Sequence, residues 1–262
     1  MKIAYFGFDL FYDCLDMLIQ NGHDIMKIFT CDVDGEYEHN SKIYAAAERY
    51  GIAITNQKPE NQMLHILKNE GCDLMISAGY YYKIPVIDGV MQVNIHPSLL
   101  PIGRGPWPEP IVILKNLQTG VTIHKLSDSL DSGDILIQGR IETDNSENLK
   151  TLTKKSVSLA VHLLSEFVQN IKYYWGHSVP QNGGEYWREP TDSDMTFDIT
   201  DSFEKIDQIT RAFFGYRCLM IKDGAVTVIK EAKCIKNDDD LHVLPEMCID
   251  IDGGRLIILK LA

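Results

Sequence analysis

Lys2-Ile3-Ala4-Tyr5-Phe6-Gly7 opens the chain as a short apolar run closed by a glycine. A run this short with no polar alternation has the character of a strand buried on both faces, as in a parallel sheet. Residues 10–20 follow with Leu15, Leu18 and Ile19 at helical spacing, and Asn21-Gly22 ends the pattern. Working outward, the alternation repeats. An apolar run at 25–29 precedes a helical pattern at 41–50 (Ile43, Ala46, Ala47) stopped by Gly51, and a short run at 52–54 precedes a helical pattern at 63–69 closed by Gly71. Runs at 74–77 and 90–95 complete the series. Alternating strands and helices predict right-handed crossovers and a mostly parallel α/β sheet with helices on both faces. Such sheets bind ligands at the carboxyl ends of their strands. Gly7-Phe8-Asp9-Leu10-Phe11 lacks the three-glycine pattern of a dinucleotide turn, so no dinucleotide site is expected.

Beyond residue 119 the pattern changes. Residues 119–126 and 135–141 read as two strands, and Ser146 is the expected cap of a long helix over about 149–170. Leu152, Val157, Ala160, Leu163, Leu164 and Phe167 supply its apolar side. Residues 178–190 hold Pro, Gly-Gly, Tyr186 and Trp187 and read as an extended linker. A helix over 203–214 and strand-like runs at 219–221, 226–229, 247–251 and 256–259 follow, with hairpin signals at Asp223-Gly224 and Gly253-Gly254. The expected organisation is a catalytic domain over 1–190 and a small, mostly β domain over 191–262. Asp238-Asp239-Asp240 reads as a solvated loop.

Composition narrows the function classes. In 262 residues, 45% are hydrophobic and 24% charged, as in globular proteins, and 37 acids against 25 bases give a formal net charge of −12. A backbone-gripping nucleic-acid binder needs clustered Lys and Arg, and no basic run exceeds Lys154-Lys155, so no nucleic-acid partner is expected. The six cysteines form no Cys-x-x-Cys pair, which points away from a zinc site, and no metal is expected. The first residues are too short an apolar run for a secretion signal, and no stretch approaches a membrane span; the natural reading is a reducing cytoplasm.

The chemistry concentrates in two stretches. The first is Asn94-Ile95-His96-Pro97-Ser98-Leu99-Leu100-Pro101, followed by Gly103-Arg104-Gly105. Asn94 and His96 lie two apart at a strand end, so alternation puts them on one face, where a parallel sheet places its ligands. Pro97 and Pro101 stiffen the loop beyond. The second is Thr119-Gly120-Val121-Thr122-Ile123-His124 with Leu130-Asp131-Ser132-Gly133-Asp134-Ile135, which sets a carboxylate in a loop between two strands. His124 reads as structural. Arg104 is equally suited to a substrate phosphate or to pairing with a surface acid.

Together these pieces resemble the formyltransferase family that uses 10-formyltetrahydrofolate, and the resemblance covers most of residues 1–141. It implies a Rossmann-like domain with an OB-like C-terminal appendage and places the family's catalytic Asn, His and Asp on Asn94, His96 and Asp131. In that chemistry Asn94 donates an amide N–H to the negative tetrahedral oxygen. His96 shuttles a proton between attacking amine and departing folate nitrogen, and Asp131 orients His96. The resemblance further implies that folate lies over Ser77, Ala78, Gly79, Tyr80 and Tyr81, with Leu99, Ser132, Gly133, Asp134 and Ile135 closing the pocket. Tyr80 and Tyr81 could stack on the pterin or pack; Asp134 could instead be spent on a loop hydrogen bond. Phe8, Asp9, Arg104, Gly105 and Trp107 are the candidate substrate contacts, Trp107 either covering a base or sugar or plugging the local core. The wall 103–110 is unusually rich in proline.

For the acceptor, the tail from residue 201 resembles the C-terminal β domain of the methionyl-tRNA and aminoarabinose enzymes. The segment Cys31-Asp32-Val33-Asp34-Gly35-Glu36-Tyr37-Glu38-His39 is acidic where the tRNA enzymes are basic, and it repels phosphate. The expected acceptor is a dTDP- or UDP-linked amino sugar destined for surface polysaccharide. Methionyl-tRNA formylation and non-catalytic folate binding are the alternatives. The apolar β tail could support a homodimer.

Overall fold

Lys2–Gly7 forms a strand (β1) in which every residue after Lys2 is buried, and the rest of its sheet grows on both of its edges. In the computed structural model, residues 1–144, 146–236 and 247–262 are described; the acidic run at Asp238 lies outside them. β1 pairs in parallel with β2 (Asp24–Phe29) and with β4 (Leu74–Ala78). β3 (Ile54–Thr55) extends the β2 edge and β5 (Met91–His96) the β4 edge, both in parallel. Helices α1 (Tyr12–Gln20), α2 (Ser41–Tyr50) and α3 (Asn61–Asn69) carry the crossovers. α2 stops where predicted, because Gly51 takes φ +65°, a conformation that costs glycine nothing.

After β5 the chain makes a short strand, β6 (Ile102–Arg104), then helix α4 (Pro108–Lys115). It returns as β7 (Thr119–Lys125) and β8 (Ile135–Ile141), which complete a seven-stranded sheet in the order β3-β2-β1-β4-β5-β7-β8. β7 runs antiparallel to both β5 and β8, so the sheet is parallel only up to β5. The fold is the expected α/β class with an antiparallel edge. Its core includes Ala4, Phe6, Phe29, Leu64, Leu67 and Met75, with Phe6 stacked on Phe29 at 4.5 Å. Full burial of each large side chain there contributes about 1.5–3 kcal/mol.

The long helix α5 (Leu149–Gln169) has its expected apolar face: Leu152, Ala160, Leu163, Leu164 and Phe167 are buried. Its cap is not Ser146. The Thr151 amide donates to Asn148 Oδ1 and the Asn148 amide donates to Thr151 Oγ1, each at 3.0 Å. Ser146 instead donates its hydroxyl to Asp144 at 2.6 Å. A short helix α6 (Ile171–Gly176) follows, and the segment beyond it pairs as β9 (Glu185–Tyr186) with β6.

By its contacts the chain divides into two units. One is Met1–Pro106, Thr119–Ile141 and Lys155–Tyr186; the other is Trp107–Gln118, Glu142–Lys154 and Trp187–Ala262. After a single-turn α7 (Asp192–Met195), the second unit builds a five-stranded sheet in the order β10-β11-β12-β14-β13. Its strands are β10 (Thr196–Asp198), β11 (Cys218–Lys222), β12 (Ala225–Lys236), β13 (Cys248–Ile251) and β14 (Gly254–Leu261). Helix α8 (Phe203–Ala212), N-capped by Ser202, buries Ile206, Ile209, Thr210 and Ala212. No helix among the described residues is long and apolar enough to cross a membrane.

Candidate functional site

The site forms where the sheet changes direction. Asn94 and His96 leave β5 on one face, and the antiparallel register sets His124 directly opposite Asn94. Opposed residues of an antiparallel pair project to the same side. Asp131, in the loop from β7 to β8, takes φ +52°. That left-handed geometry is one an Asp tolerates better than most residues. The four side chains converge. Asn94 Nδ2 donates to Asp131 Oδ1 at 3.2 Å and lies 3.2 Å from His124 Nε2. His96 Nδ1 is 3.7 Å from Asp131 Oδ2, and His124 Nε2 is 3.5 Å from Oδ1. The Gly105 amide also donates to Asp131 Oδ2, at 3.0 Å.

Partners fix the ring states. His96 Nε2 lies 2.7 Å from the Gly103 carbonyl oxygen, which can only accept, so Nε2 carries hydrogen. Nδ1 is then the exchangeable nitrogen of His96, facing the carboxylate. His124 Nδ1 donates to the Lys125 carbonyl at 2.9 Å, so while the ring carries one hydrogen its Nε2 accepts from Asn94. Both amide hydrogens of Asn94 are thereby engaged. The reverse orientation of that amide would turn its oxygen on the Asp131 carboxylate.

Burial pushes the His96 imidazole below its ordinary value, and the nearby Asp131 charge and Gly103 carbonyl offset this only in part. Burial alone would raise the Asp131 carboxyl. His96, His124 and the Gly105 amide outweigh it and hold the group at about 2. We take the resting pair as a neutral His96 beside an ionised Asp131.

The remaining predicted residues are distributed unevenly. Ser77 and Ala78 end β4 and are buried. Gly79 takes φ +68° with Phe11 and Leu10 packed so close that a side chain there would press on both. Tyr80 packs edge-on to Phe6 and Tyr82, and its buried hydroxyl has no hydrogen-bond partner among the described residues. Tyr81 is 55% exposed, rests on Phe8 at 5.2 Å and hydrogen-bonds Glu38. Leu99 packs against Gly120 so tightly that a β-carbon there would meet it at 2.6 Å. Ser132 is tied to Ser129 and Ser127 in its own loop, and Gly133 backs onto the Lys125 carbonyl, where any side chain would collide. Asp134 Oδ2 accepts from Lys125 Nζ at 3.2 Å and Ser178 Oγ at 3.0 Å, and the Ile135 amide bonds Val179.

Phe8 is 2% exposed. Asp9 accepts the Ser41 hydroxyl and the Lys42 and Ile43 amides at 2.9–3.1 Å, satisfying the first turn of α2. Trp107 belongs to the second unit, edge-on to Tyr216 at 5.1 Å and Phe213 at 6.1 Å. Arg104 Nε and Nη2 donate to Gln181 Oε1 at 3.0 and 2.8 Å. His124 and Gln181 were not among the candidates. Antiparallel pairing of β5 with β7 would have exposed the first; nothing local in the sequence announces the second.

For the implied folate donor, the buried Tyr80 hydroxyl beside Gly79, without a hydrogen-bond partner among the described residues, is the feature that fits a polar ring seated over the end of β4.

Residues 1–168 match the family described as formyl transferase. A methionyl-tRNA formyltransferase of Prochlorococcus marinus is 33% identical over 184 residues, 64% of this chain and 55% of that relative. The chain thus spans little more than half the length of that relative. Among solved structures, a 4-N formyltransferase from Francisella tularensis superposes with TM-score 0.68 at 22% identity, covering 87% of this chain and 96% of that one. An N-formyltransferase from Helicobacter canadensis, in complex with folinic acid and dTDP-3-aminofucose, superposes with TM-score 0.70 at 16% identity, covering 99% of each chain.

Proposed function

This chain belongs to the formyl transferase family, and from that premise we propose that it moves a formyl group from 10-formyltetrahydrofolate to a primary amine, with Asn94, His96 and Asp131 as the chemical centre. The observation that carries the reading is the buried convergence of Asn94 Nδ2 and His96 Nδ1 on the Asp131 carboxylate. When bound, the donor supplies an electrophilic formyl carbon on nitrogen. As the amine's nitrogen forms its bond to that carbon, His96 Nδ1 takes the proton the amine gives up, while Nε2–H stays on Gly103. The ionised Asp131 stabilises the imidazolium so formed, and Nδ1–H is then delivered to the departing nitrogen. One Asn94 N–H remains on Asp131. The other rests on His124 at 3.2 Å; turned from that nitrogen, it is the donor we assign to the formyl oxygen as its negative charge grows.

The acceptor we propose is a nucleotide-linked amino sugar. The formal charge of −12 and the acidic segment 31–39 support it, because a tRNA partner requires phosphate neutralisation. The ligands of the Helicobacter protein, folinic acid and dTDP-3-aminofucose, belong to the two chemical classes proposed here. The specific observation favouring the second reading, methionyl-tRNA, is the 33% identity to an enzyme of that name. A mass-spectrometric assay with the folate donor, a panel of dTDP- and UDP-amino sugars and charged initiator tRNA separates them. A formylated sugar nucleotide is expected. Formylation of the tRNA alone overturns the acceptor, and folate binding without transfer to any amine overturns catalysis.

A further inference from the structure

Gln181 lies beyond the residues that match the family, in the segment after α6, yet its side-chain amide is used on every side. Nε2 donates to the backbone carbonyls of Asp131 at 2.9 Å and Gly133 at 2.7 Å. Oε1 accepts both Arg104 bonds. The orientation is locked, because turning the amide over would set N–H against the guanidinium donors and oxygen against two carbonyls. The segment carrying it is fixed on either side. Val179 and Ile135 exchange two backbone bonds of 2.8 Å, and the Glu185 amide donates to the Pro101 carbonyl at 3.1 Å. Gly184, at φ +112°, lies so close to Pro101 that any β-carbon would clash. The segment therefore runs between the two loops that flank the site, one carrying Asp131 and the other Arg104 and Gly105.

We propose that Gln181 is a positioning residue: it pins the backbone of the Asp131–Gly133 loop so that the Asp131 carboxylate stays against His96 and Asn94, and it orients the Arg104 guanidinium with the same amide. The consequence for turnover rests on the formyl-transfer reading; the geometric role does not. Two variants divide the contributions. Gln181→Leu removes all four bonds. Gln181→Glu keeps an acceptor for Arg104 but turns oxygen on the two carbonyls, releasing the Asp131 loop alone.

Turnover in both variants is expected to fall on the order of 100-fold, a loss that a misplacement of about 1 Å can cause, with the KM for the amine unchanged in Gln181→Glu. A second readout needs no turnover. The His96 ring faces Asp131, His124 and the Gly103 carbonyl, and its NMR titration, assigned with His96→Gln, should move to lower pH once the carboxylate is no longer held beside it. Melting curves report whether each variant folds, and Gln181→Glu serves if Gln181→Leu does not. Wild-type turnover and an unmoved His96 titration in a folded variant overturn the proposal, as does lost turnover with the titration unmoved. A titration that moves in a protein able to formylate no amine upholds the positioning role and sinks the formyl-transfer reading.

Discussion

Asp131 is the residue on which the chemistry turns, because its two oxygens are shared among an amide side chain, two imidazoles and a backbone N–H. Asp131→Asn keeps the shape and removes the charge. We expect kcat to drop by roughly 10²–10⁴-fold, and the acid limb of kcat/KM to move to lower pH because His96 loses the attraction that opposes its burial. In the wild type that limb should lie below pH 6.5, since the His96 imidazole is already depressed from that value; a limb above it contradicts the neutral resting ring. Asn94→Asp sets a second carboxylate against the first, which forces one of them to take a proton. Activity at neutral pH should be abolished in a formyl-transfer assay. Away from the site, Glu109 is 3% exposed, and burial pushes its carboxyl from 4.5 to about 7. The folded state keeps a proton that the unfolded chain releases, so this contribution is intact below pH 4.5 and is lost as pH rises through about 7. Glu109→Gln should therefore lose less melting temperature than the wild type between pH 5 and pH 8, the difference corresponding to roughly 2.5 kcal/mol.

Among the elements, the cap of α5 gives a clean contrast. Asn148→Ala should cost about 1 kcal/mol in denaturant unfolding, whereas Ser146→Ala, whose hydroxyl donates to Asp144 outside the helix, should cost little. Legibility varied for physical reasons. β1, β4 and α2 could be read because buried strands and glycine stops are local signals. α4 was hidden: Pro108 and Pro110 look like loop residues, yet they occupy its first turn, where amides have no helical partner to lose. β12 extends well past the apolar run 226–229 because Lys230, Glu231 and Lys233 mask it and a register shift near Glu231 interrupts its alternation. The trio Asn94, His96 and Asp131 was visible through its flanking motifs. The engagement of His124 depends on strand register, and that of Gln181 on the path of a segment 50 residues from Asp131. Local sequence encodes neither.

For the whole molecule, charge is the property with a direct test. At −12 the chain should repel polyphosphate. Initiator tRNA, followed by fluorescence anisotropy at physiological salt, should bind more weakly than a dTDP-amino sugar; tight binding that weakens steeply with added salt would favour the tRNA reading. The second unit, drawn from three separate stretches of chain, is likewise absent from any strand-by-strand reading, because it borrows Trp107–Gln118 and Glu142–Lys154 from the middle of the sequence. The tether at Gln181 has a consequence in time. Chains leave the ribosome N-terminus first, and β1 to β8 are complete at Ile141. A nascent chain arrested there owns Asn94, His96 and Asp131 but not the amide that holds their loop. Competence should therefore arrive late in synthesis, with the emergence of the segment through Tyr186, rather than with the sheet that bears the reacting groups.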